Sequence, residues 1–335
     1  MTSPYDPEPY AAAAAPAPQP QPQPPRRGPW RAALAVVTAM LVLAVALLAG
    51  LWSWAGTNGS LATALTQAAH YLPEGQSLLA EEVSGSLRAG GQIGRLRWSS
   101  PQLAVEVRDA RIAWRLAPLL RRALRVDTLE VAQITLTPGE PSQEPTHPME
   151  QLTLPLQVTL PFRVQQITWA APSPIQIDAL AGSYRYDGVQ HQLAIDQIQL
   201  AQGRYALQAR LQGQAPMALS ASLSGSLQTE VPGGTGPLQA QAQAEVQGQL
   251  AGADARLEVT AQLRSSADRQ PPLAADLQAR IAPWAPQPLL QAQAELQGLD
   301  LAALWPQAPA TQLSGNASVA PQGQGWALQA QLHNA

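Results

Sequence analysis

From Leu207 onward, apolar and polar residues alternate along the chain. Leu207, Ala209 and Leu211 interleave with Gln208, Arg210 and Gln212, and the same period of two runs through 219–228, 238–247, 257–264, 290–297 and 326–333. Successive side chains of a strand point to opposite faces, so this pattern predicts strands with one apolar and one wet face. Breaks rich in Gly, Pro, Ser or Asp separate them, at 213–216, 232–237, 248–254 and 265–272. Asp187-Gly188, after Tyr184-Arg185-Tyr186, reads as a hairpin turn. Helical spacing is confined to two short stretches. The first is 57–72, with Asn58 or Ser60 as cap, Leu61, Leu65, Ala68, Ala69 and Leu72 on one face, and Pro73 as the stop. The second is 116–124, with Leu116, Leu119, Leu120 and Leu124 on one face.

The size of the inward residues narrows the architecture. Many inward positions beyond Leu207 are Ala, and the single Phe of the chain lies before them. A two-sheet sandwich needs larger side chains to fill its interior. The expected fold is therefore all-β, an elongated, groove-shaped (taco-like) antiparallel sheet whose shallow apolar face lines one side of a groove. A membrane barrel would carry aromatic girdles, and Trp284, Trp305 and Trp326 are too sparse for that.

A different pattern precedes the strands. Residues 1–29 hold the Ala11–Ala15 run and Gln19-Pro20-Gln21-Pro22-Gln23-Pro24-Pro25, which favours an extended tail without a core. Ala32–Leu51 is twenty residues without a charge. As a helix it is about 30 Å long, the thickness of a bilayer core. Trp30 stands at one end and Trp52 and Trp54 at the other, where indoles favour the interface. Arg26, Arg27 and Arg31 precede the segment, and no Arg follows until Arg88. The positive-inside rule places the N-terminus in the cytoplasm and the rest outside it. Ser53-Trp54-Ala55 loosely fits a signal cleavage site, but the apolar run exceeds the about 7–15 residues of a signal core, which favours an uncleaved anchor. The expected organisation is a disordered tail at 1–29, a transmembrane anchor at 30–54, a short helix at 55–73 and a β domain outside the cytoplasm over 74–335. The protein is thus expected to cross its membrane once.

Composition excludes much chemistry. Net charge is -3, so no whole-chain field favours nucleic acid. There is no Cys, and every one of the 20 cations is Arg, which removes thiol catalysis, disulfides and Schiff-base lysines. His70, His147, His191 and His333 are too dispersed for a local metal motif. The carboxylate pairs Glu81/Glu82 and Asp127/Glu130 have no neighbouring base or nucleophile. We expect no enzyme, no cofactor and no metal. One cluster stands out. Arg88, Arg95, Arg97, Arg108, Arg111, Arg115, Arg121, Arg122 and Arg125 fall within 38 residues, opposed in that stretch only by Glu106 and Asp109. Guanidinium matches phosphate bidentately, so Arg121, Arg122 and Arg125 are candidates for lipid headgroups; the competing reading is a solvated face.

Residues 78–137 carry a resemblance. Leu78-Leu79-Ala80-Glu81-Glu82-Val83-Ser84-Gly85-Ser86-Leu87 is followed by Gly91-Gln92-Ile93-Gly94-Arg95-Leu96-Arg97-Trp98, then by Val105-Glu106-Val107-Arg108-Asp109-Ala110-Arg111-Ile112-Ala113-Trp114, Pro118-Leu119-Leu120 and Val126-Asp127-Thr128-Leu129-Glu130-Val131. An apolar anchor followed by these motifs resembles the start of the AsmA-like envelope proteins, and within them the TamB family, the inner-membrane component of the translocation and assembly module. Leu299-Asp300-Leu301-Ala302-Ala303-Leu304-Trp305, Leu313-Ser314-Gly315-Asn316-Ala317 and Gly325-Trp326-Ala327-Leu328 resemble that family's later strand openings. The resemblance implies a periplasmic β-groove that moves phospholipid toward the outer membrane. Its second implication is outer-membrane biogenesis, assisting insertion or secretion of proteins such as autotransporters with a BamA-like (TamA-like) barrel partner. The family's chains are longer, so this one reads as an N-terminal fragment. The lipid-groove candidates are Leu207, Leu211, Leu219, Leu223, Leu257, Val259, Leu263, Leu290, Leu296 and Leu328. A conduit needs an unbroken apolar stripe. A strand-holding assembly factor tolerates polar breaks but needs a free edge, and a structural tether would cover the stripe with a second sheet.

Overall fold

The computed structural model describes residues 29–140, 148–171, 174–200, 203–230, 237–265, 272–299, 311–323 and 325–334, with side chains described outside 29–39, 229–230 and 237–238. The Pro/Gln-rich tail and Leu301–Trp305 lie outside them. The chain divides after Leu51 into two units. The first holds most of α1 (Pro29–Ala55), a 27-residue helix. From Met40 onward its apolar side chains are exposed all round, Met40, Leu43, Leu47 and Leu51 among them. Among the residues searched, no single helix is long and apolar enough to cross a membrane. Met40–Ala55 passes only together with Ser60–His70, bent by 104° at the break between them.

The second unit is α2 (Ser60–His70) and a single sheet of 15 strands. The strands are β1 (Ser77–Ser86), β2 (Gly90–Ser99), β3 (Leu103–Arg115), β4 (Ala123–Pro138), β5 (Gln157–Trp169), β6 (Ile175–Tyr186), β7 (Gln190–Leu200) and β8 (Gly203–Gln212). They continue as β9 (Ala218–Glu230), β10 (Pro237–Gln249), β11 (Arg256–Ser265), β12 (Ala274–Ile281), β13 (Leu289–Leu299), β14 (Leu313–Gln322) and β15 (Gly325–Asn334). Spatial order equals chain order, and the sheet does not close: β1 and β15 are its two edges. The all-β, open, groove-like sheet expected from the alternation is what the structure shows.

Three expectations need correction. The sheet is antiparallel except at β4–β5, which run parallel. The chain between Pro138 and Gln157 therefore returns to the rim where β4 began instead of turning at once, and Gln157 N–H donates to Arg122 O there. The helix at 57–72 begins only at Ser60, and Gly59 precedes it without a side-chain cap. Asn58 is occupied elsewhere: its Oδ1 accepts from Gly85 N–H, while Gly59 N–H donates to Gly85 O, which satisfies the outer edge of β1. The helix at 116–124 is a single 3-10 turn, Ala117–Arg121. Arg122 is left-handed at φ 55 and ends the turn, so Leu124 falls in β4.

The first six strands share a device. Each carries one extra residue at the same height. The registers Val83↔Ile93↔Ala110↔Val131↔Val164↔Leu180 and Ala80↔Leu96↔Val107↔Ile134↔Ile167↔Ile177 bracket it on either side. Glu82, Asp109 and Ala179 take positive φ there, at 54, 51 and 51. A lone bulge turns every later side chain of its strand to the other face relative to its neighbours. Six aligned bulges keep the sheet in phase, so the apolar residues above and below the line stay on one face. Ala110, Val131 and Val164 are buried there, packed with Ile93, Val107, Leu129, Ile134, Ile167 and Leu180.

Part of the parallel crossover, 148–156, lies along the rim formed by the β6–β7, β8–β9 and β10–β11 turns. Met149 O accepts from Gly252 N–H, Leu152 N–H donates to Gly213 O, and Leu152 O accepts from His191 Nε2–H at 2.7 Å. A carbonyl can only accept, so the His191 proton sits on Nε2 and Nδ1 takes the Tyr184 hydroxyl at 2.6 Å. His191 is also stacked on Tyr186 at 4.3 Å, and burial pushes the Tyr184 hydroxyl's pKa upward. Gly213 permits this approach: a Cβ there would stand 2.8 Å from Leu152 O and 3.1 Å from Val189 O. Gly213→Ala should therefore loosen the crossover. Losing one backbone bond of about 1 kcal/mol predicts roughly fivefold faster amide exchange within 148–156. Exchange in β11 should be unchanged. Unaltered protection at Leu152 would contradict the strap.

Candidate functional site

Because partners in an antiparallel ladder point to the same side, the register reads the sheet's two faces directly. One row runs Leu193–Ala209–Ala221–Val246–Val259–Ala279–Ala292–Val319–Leu328, through nine consecutive strands from β7 to β15. No member is polar. The row beside it runs Ile195–Leu207–Leu223–Ala244–Ala261–Leu277–Ala294–Ala317–Ala330. A shorter row, Leu211–Leu219–Gly248–Leu257–Ile281, flanks them on one side, and Leu263–Ala275–Leu296–Gly315–Leu332 on the other.

Nine of the ten groove candidates therefore share one face: Leu207, Leu211, Leu219, Leu223, Leu257, Val259, Leu263, Leu296 and Leu328. Leu290 does not sit in the ladder. Arg280 pairs with Gln291 and Ile281 with Leu289, which leaves Leu290 as the extra residue of a bulge. Sequence alternation could not show this, because Leu289 and Leu290 are both Leu.

This face is open. All described strands belong to one sheet, so no second sheet covers it among the described residues. Among the described residues thirteen hydrophobic ones are buried, and most of the row members are only half-buried; Leu277 stays 39% and Leu328 67% exposed. Local packing exists at its borders, as where Leu273 and Leu299 meet Leu263, Leu296 and Leu313. Burying a Leu fully contributes about 1.5–3 kcal/mol, so each half-covered Leu leaves a sizeable part of that unrealised. The other face is Gln, Ser, Thr, Glu and Arg. A depression of about 440 Å³ on that polar side is lined by Asp196, Gln197, Arg204, Ser224, Ser226 and Gln241 with Tyr205.

The alternating motif missed the N-terminal half of the apolar face. Ile93, Val107, Ala110, Leu129, Val131, Ile134, Val164, Ile167 and Leu180 belong to it, yet none was a candidate. The bulges break the period of two. Their signature was present: the spacing Val105-x-Val107-x-x-Ala110-x-Ile112 recurs as Leu129-x-Val131-x-x-Ile134 and Ile175-x-Ile177-x-x-Leu180.

The arginine cluster divides into paired and free members. Glu106 accepts from Arg108 Nε at 2.8 Å and Arg95 at 3.2 Å, and Arg95 also approaches Glu81 at 3.8 Å. Asp127 takes Arg115 at 2.8 Å. Asp109, expected to oppose the cluster, stands in the bulge; cross-strand partners from β1 and β4 do that work instead. Among the described residues, Arg88, Arg97, Arg111, Arg121, Arg122 and Arg125 make no ion pair. Arg121 is the last residue of the rim turn Ala117–Arg121, Arg122 caps it, and Arg125 pairs in register with Arg115. The hydrogen bonds from Arg95, then from Arg108, hold the Glu106 carboxyl below its ordinary range.

Residues 47–160 match the family model described as TamB, N-terminal domain. That stretch contains the end of α1, α2, the Arg cluster, the whole crossover between β4 and β5 and the aligned bulges of β1–β4. No curated protein and no solved structure matches the chain.

The Glu106 network gives a signed expectation. A carboxyl whose folded pKa is depressed contributes stability above its unfolded value and loses it as pH falls through the folded one. Parent and Glu106→Gln should thus differ in denaturant midpoint at neutral pH and converge in acid. A difference that stays constant down the acid range would show that charge at Glu106 is not what matters.

Proposed function

Taking a TamB-like chain as the premise, we propose that its sheet carries phospholipid, with acyl chains on the apolar face and headgroups at the polar rim, on a path from the inner membrane toward the outer one. The observation that carries this reading is the unbroken apolar face. Nine strands cross it without a polar side chain in the central row, and nothing in the described structure covers it. An exposed apolar surface of such extent needs an occupant. An acyl chain fits because it asks for no hydrogen bond, and Ala-lined rows leave room beside the backbone. The row direction is perpendicular to the strands. At about 4.8 Å per strand, fifteen strands make a path of roughly 70 Å.

The envelope location follows from the same premise. Pro29–Ala55 serves as the inner-membrane anchor, crossing once with the N-terminus in the cytoplasm and the sheet in the periplasm. Its support is the Ala32–Leu51 run, the exposed apolar side chains from Met40 on, and the arginines before it. The role is binding and transfer, not catalysis, and it requires no cofactor. The alternative within the same family, assembly of outer-membrane proteins such as autotransporters with a TamA-like barrel, needs strand pairing at an edge and tolerates polar breaks. The absence of such breaks in the two central rows across β7–β15 favours lipid.

Strand parity tests the proposal. A photo-crosslinking residue at Leu257, Val259, Ala261 or Leu263 in β11 should capture phospholipid, and one at Glu258, Thr260, Gln262 or Arg264 should not. The same contrast should hold for Leu207, Ala209 and Leu211 against Gln208 and Arg210. Because Leu290 is a bulge, β13 should capture at Ala292, Ala294 and Leu296 but break the alternation at 290. Capture on neither face would overturn the conduit and favour the assembly reading.

A further inference from the structure

We propose that the turn Ala117–Arg122 is a second membrane contact: Leu119 and Leu120 enter the headgroup–acyl boundary of an anionic phospholipid bilayer, with Arg121 and Arg122 on its phosphates. This rests on reading Pro29–Ala55 as a membrane anchor.

The topology sets the location. The β1–β2 turn, residues 87–89, is where the sheet meets the chain leaving α1: Arg88 N–H donates to Ala55 O, and the Arg88 guanidinium lies 5.3 Å from the Trp52 ring centroid. The β3–β4 turn stands on the same rim, since Gly90 pairs with Ala113 and Arg115 with Arg125. The two turns are tied directly. Trp114 Nε1–H donates to Leu87 O at 2.7 Å and Trp114 N–H to Ala89 O. Two strand spacings, about 10 Å, separate them. The turn therefore stands on the rim that holds Trp52–Ala55, the last residues of α1.

The side chains fit that surface. Leu120 is 93% exposed, the most exposed large hydrophobic residue among those described, and Leu119 is 38% exposed. The turn begins at Ala117, carries Pro118 in its first positions and ends at Arg122, whose φ is 55, and it leaves Leu120 projecting into solvent. Arg121 and Arg122 follow immediately without carboxylate partners. Trp52 and Trp54, 52% and 41% exposed, stand at the end of α1. Protruding aliphatic side chains, unpaired guanidinium groups and exposed indoles on one rim are the chemistry of a bilayer interface. A solvated rim would need the cations but not the leucines.

The chain has no Cys, so a single Cys takes one label. The full chain is reconstituted in nanodiscs of phosphatidylcholine with phosphatidylglycerol. An environment-sensitive fluorophore is placed at Leu120→Cys, at Leu47→Cys within α1, and at Gln102→Cys on the opposite rim. We expect blue-shifted emission at 120 and 47, quenched by spin-labelled lipid and protected from aqueous iodide, and aqueous emission at 102. Adding Arg121→Gln and Arg122→Gln should return the 120 signal toward that of 102 and leave 47 unchanged. Aqueous emission at 120 with a lipid-embedded 47 overturns this contact alone and leaves the exposed leucines to a protein partner. Aqueous emission at 47 as well overturns the anchor on which it rests. Circular dichroism checks the fold of each variant, and Leu120, being exposed, is replaceable without a core cost.

Discussion

Register is the constraint on which this structure depends. A globular core forgives a local slip because packing on all sides re-imposes the position. A single-layer sheet has no such second layer. Its strands are held by the backbone ladder and by neighbours on the same face, so one uncompensated extra residue would send the rest of a strand's apolar side chains into water. The chain meets this in two ways. In β8–β12 it keeps strict alternation, so Leu223, Ala244, Ala261 and Leu277 fall into line without adjustment. In β1–β6 it places the extra residue in every strand at one height, so that the departure from alternation is shared and cancels.

Among the described residues that arrangement leaves an apolar face without an opposing sheet, a liability for a soluble domain unless the face has an occupant. Alanine at many inward positions makes the face shallow, and half-burial of Leu257, Val259 and Leu263 leaves them available to an occupant. At the first edge, β1 is shielded by Asn58 and Gly59. Along one rim, the β1–β2 and β3–β4 turns carry Arg88, Arg121 and Arg122, while the returning segment at 148–156 ties the β6–β7, β8–β9 and β10–β11 turns together through Leu152, His191 and Gly213. Unpaired guanidinium groups and apolar side chains thus occupy different parts of one sheet.

Much of this was legible in the sequence where the physics is local. Period-two alternation from Leu207 onward set the faces of β8–β11 residue by residue, and Asp187-Gly188 set its turn, with Asp187 Oδ1 accepting from Val189 and Gln190 N–H. What was not legible depended on partners distant in sequence. Asn58 looked like a helix cap because its competitor, the free edge at Gly85, is 27 residues away. Glu81 and Asp127 did not look like partners of Arg95 and Arg115 until pairing brought them alongside. The parallel β4–β5 pair left no mark, since Gln157–Trp169 carries the same bulged pattern, Val164-x-x-Ile167, as its antiparallel neighbours. Leu290 looked inward because a Leu precedes it, and only the register separates the bulge residue from the ladder residue. The N-terminal half of the apolar face was hidden for the opposite reason: its signal was present as a repeated two-residue gap, but a gap reads as noise until several strands align.

The central claim is that hydrocarbon travels on one face of this sheet. Transfer of fluorescent phospholipid from donor vesicles carrying the full chain to acceptor vesicles tests it most directly, with Leu263→Asp compared against Gln262→Asp. The two positions are adjacent in β11 and differ in face. A carboxylate in a hydrocarbon path is costly to desolvate, whereas the same group on the wet face is not. The account predicts that Leu263→Asp stops transfer while Gln262→Asp retains it. Equal transfer by both variants, at the rate of the parent chain, would contradict it.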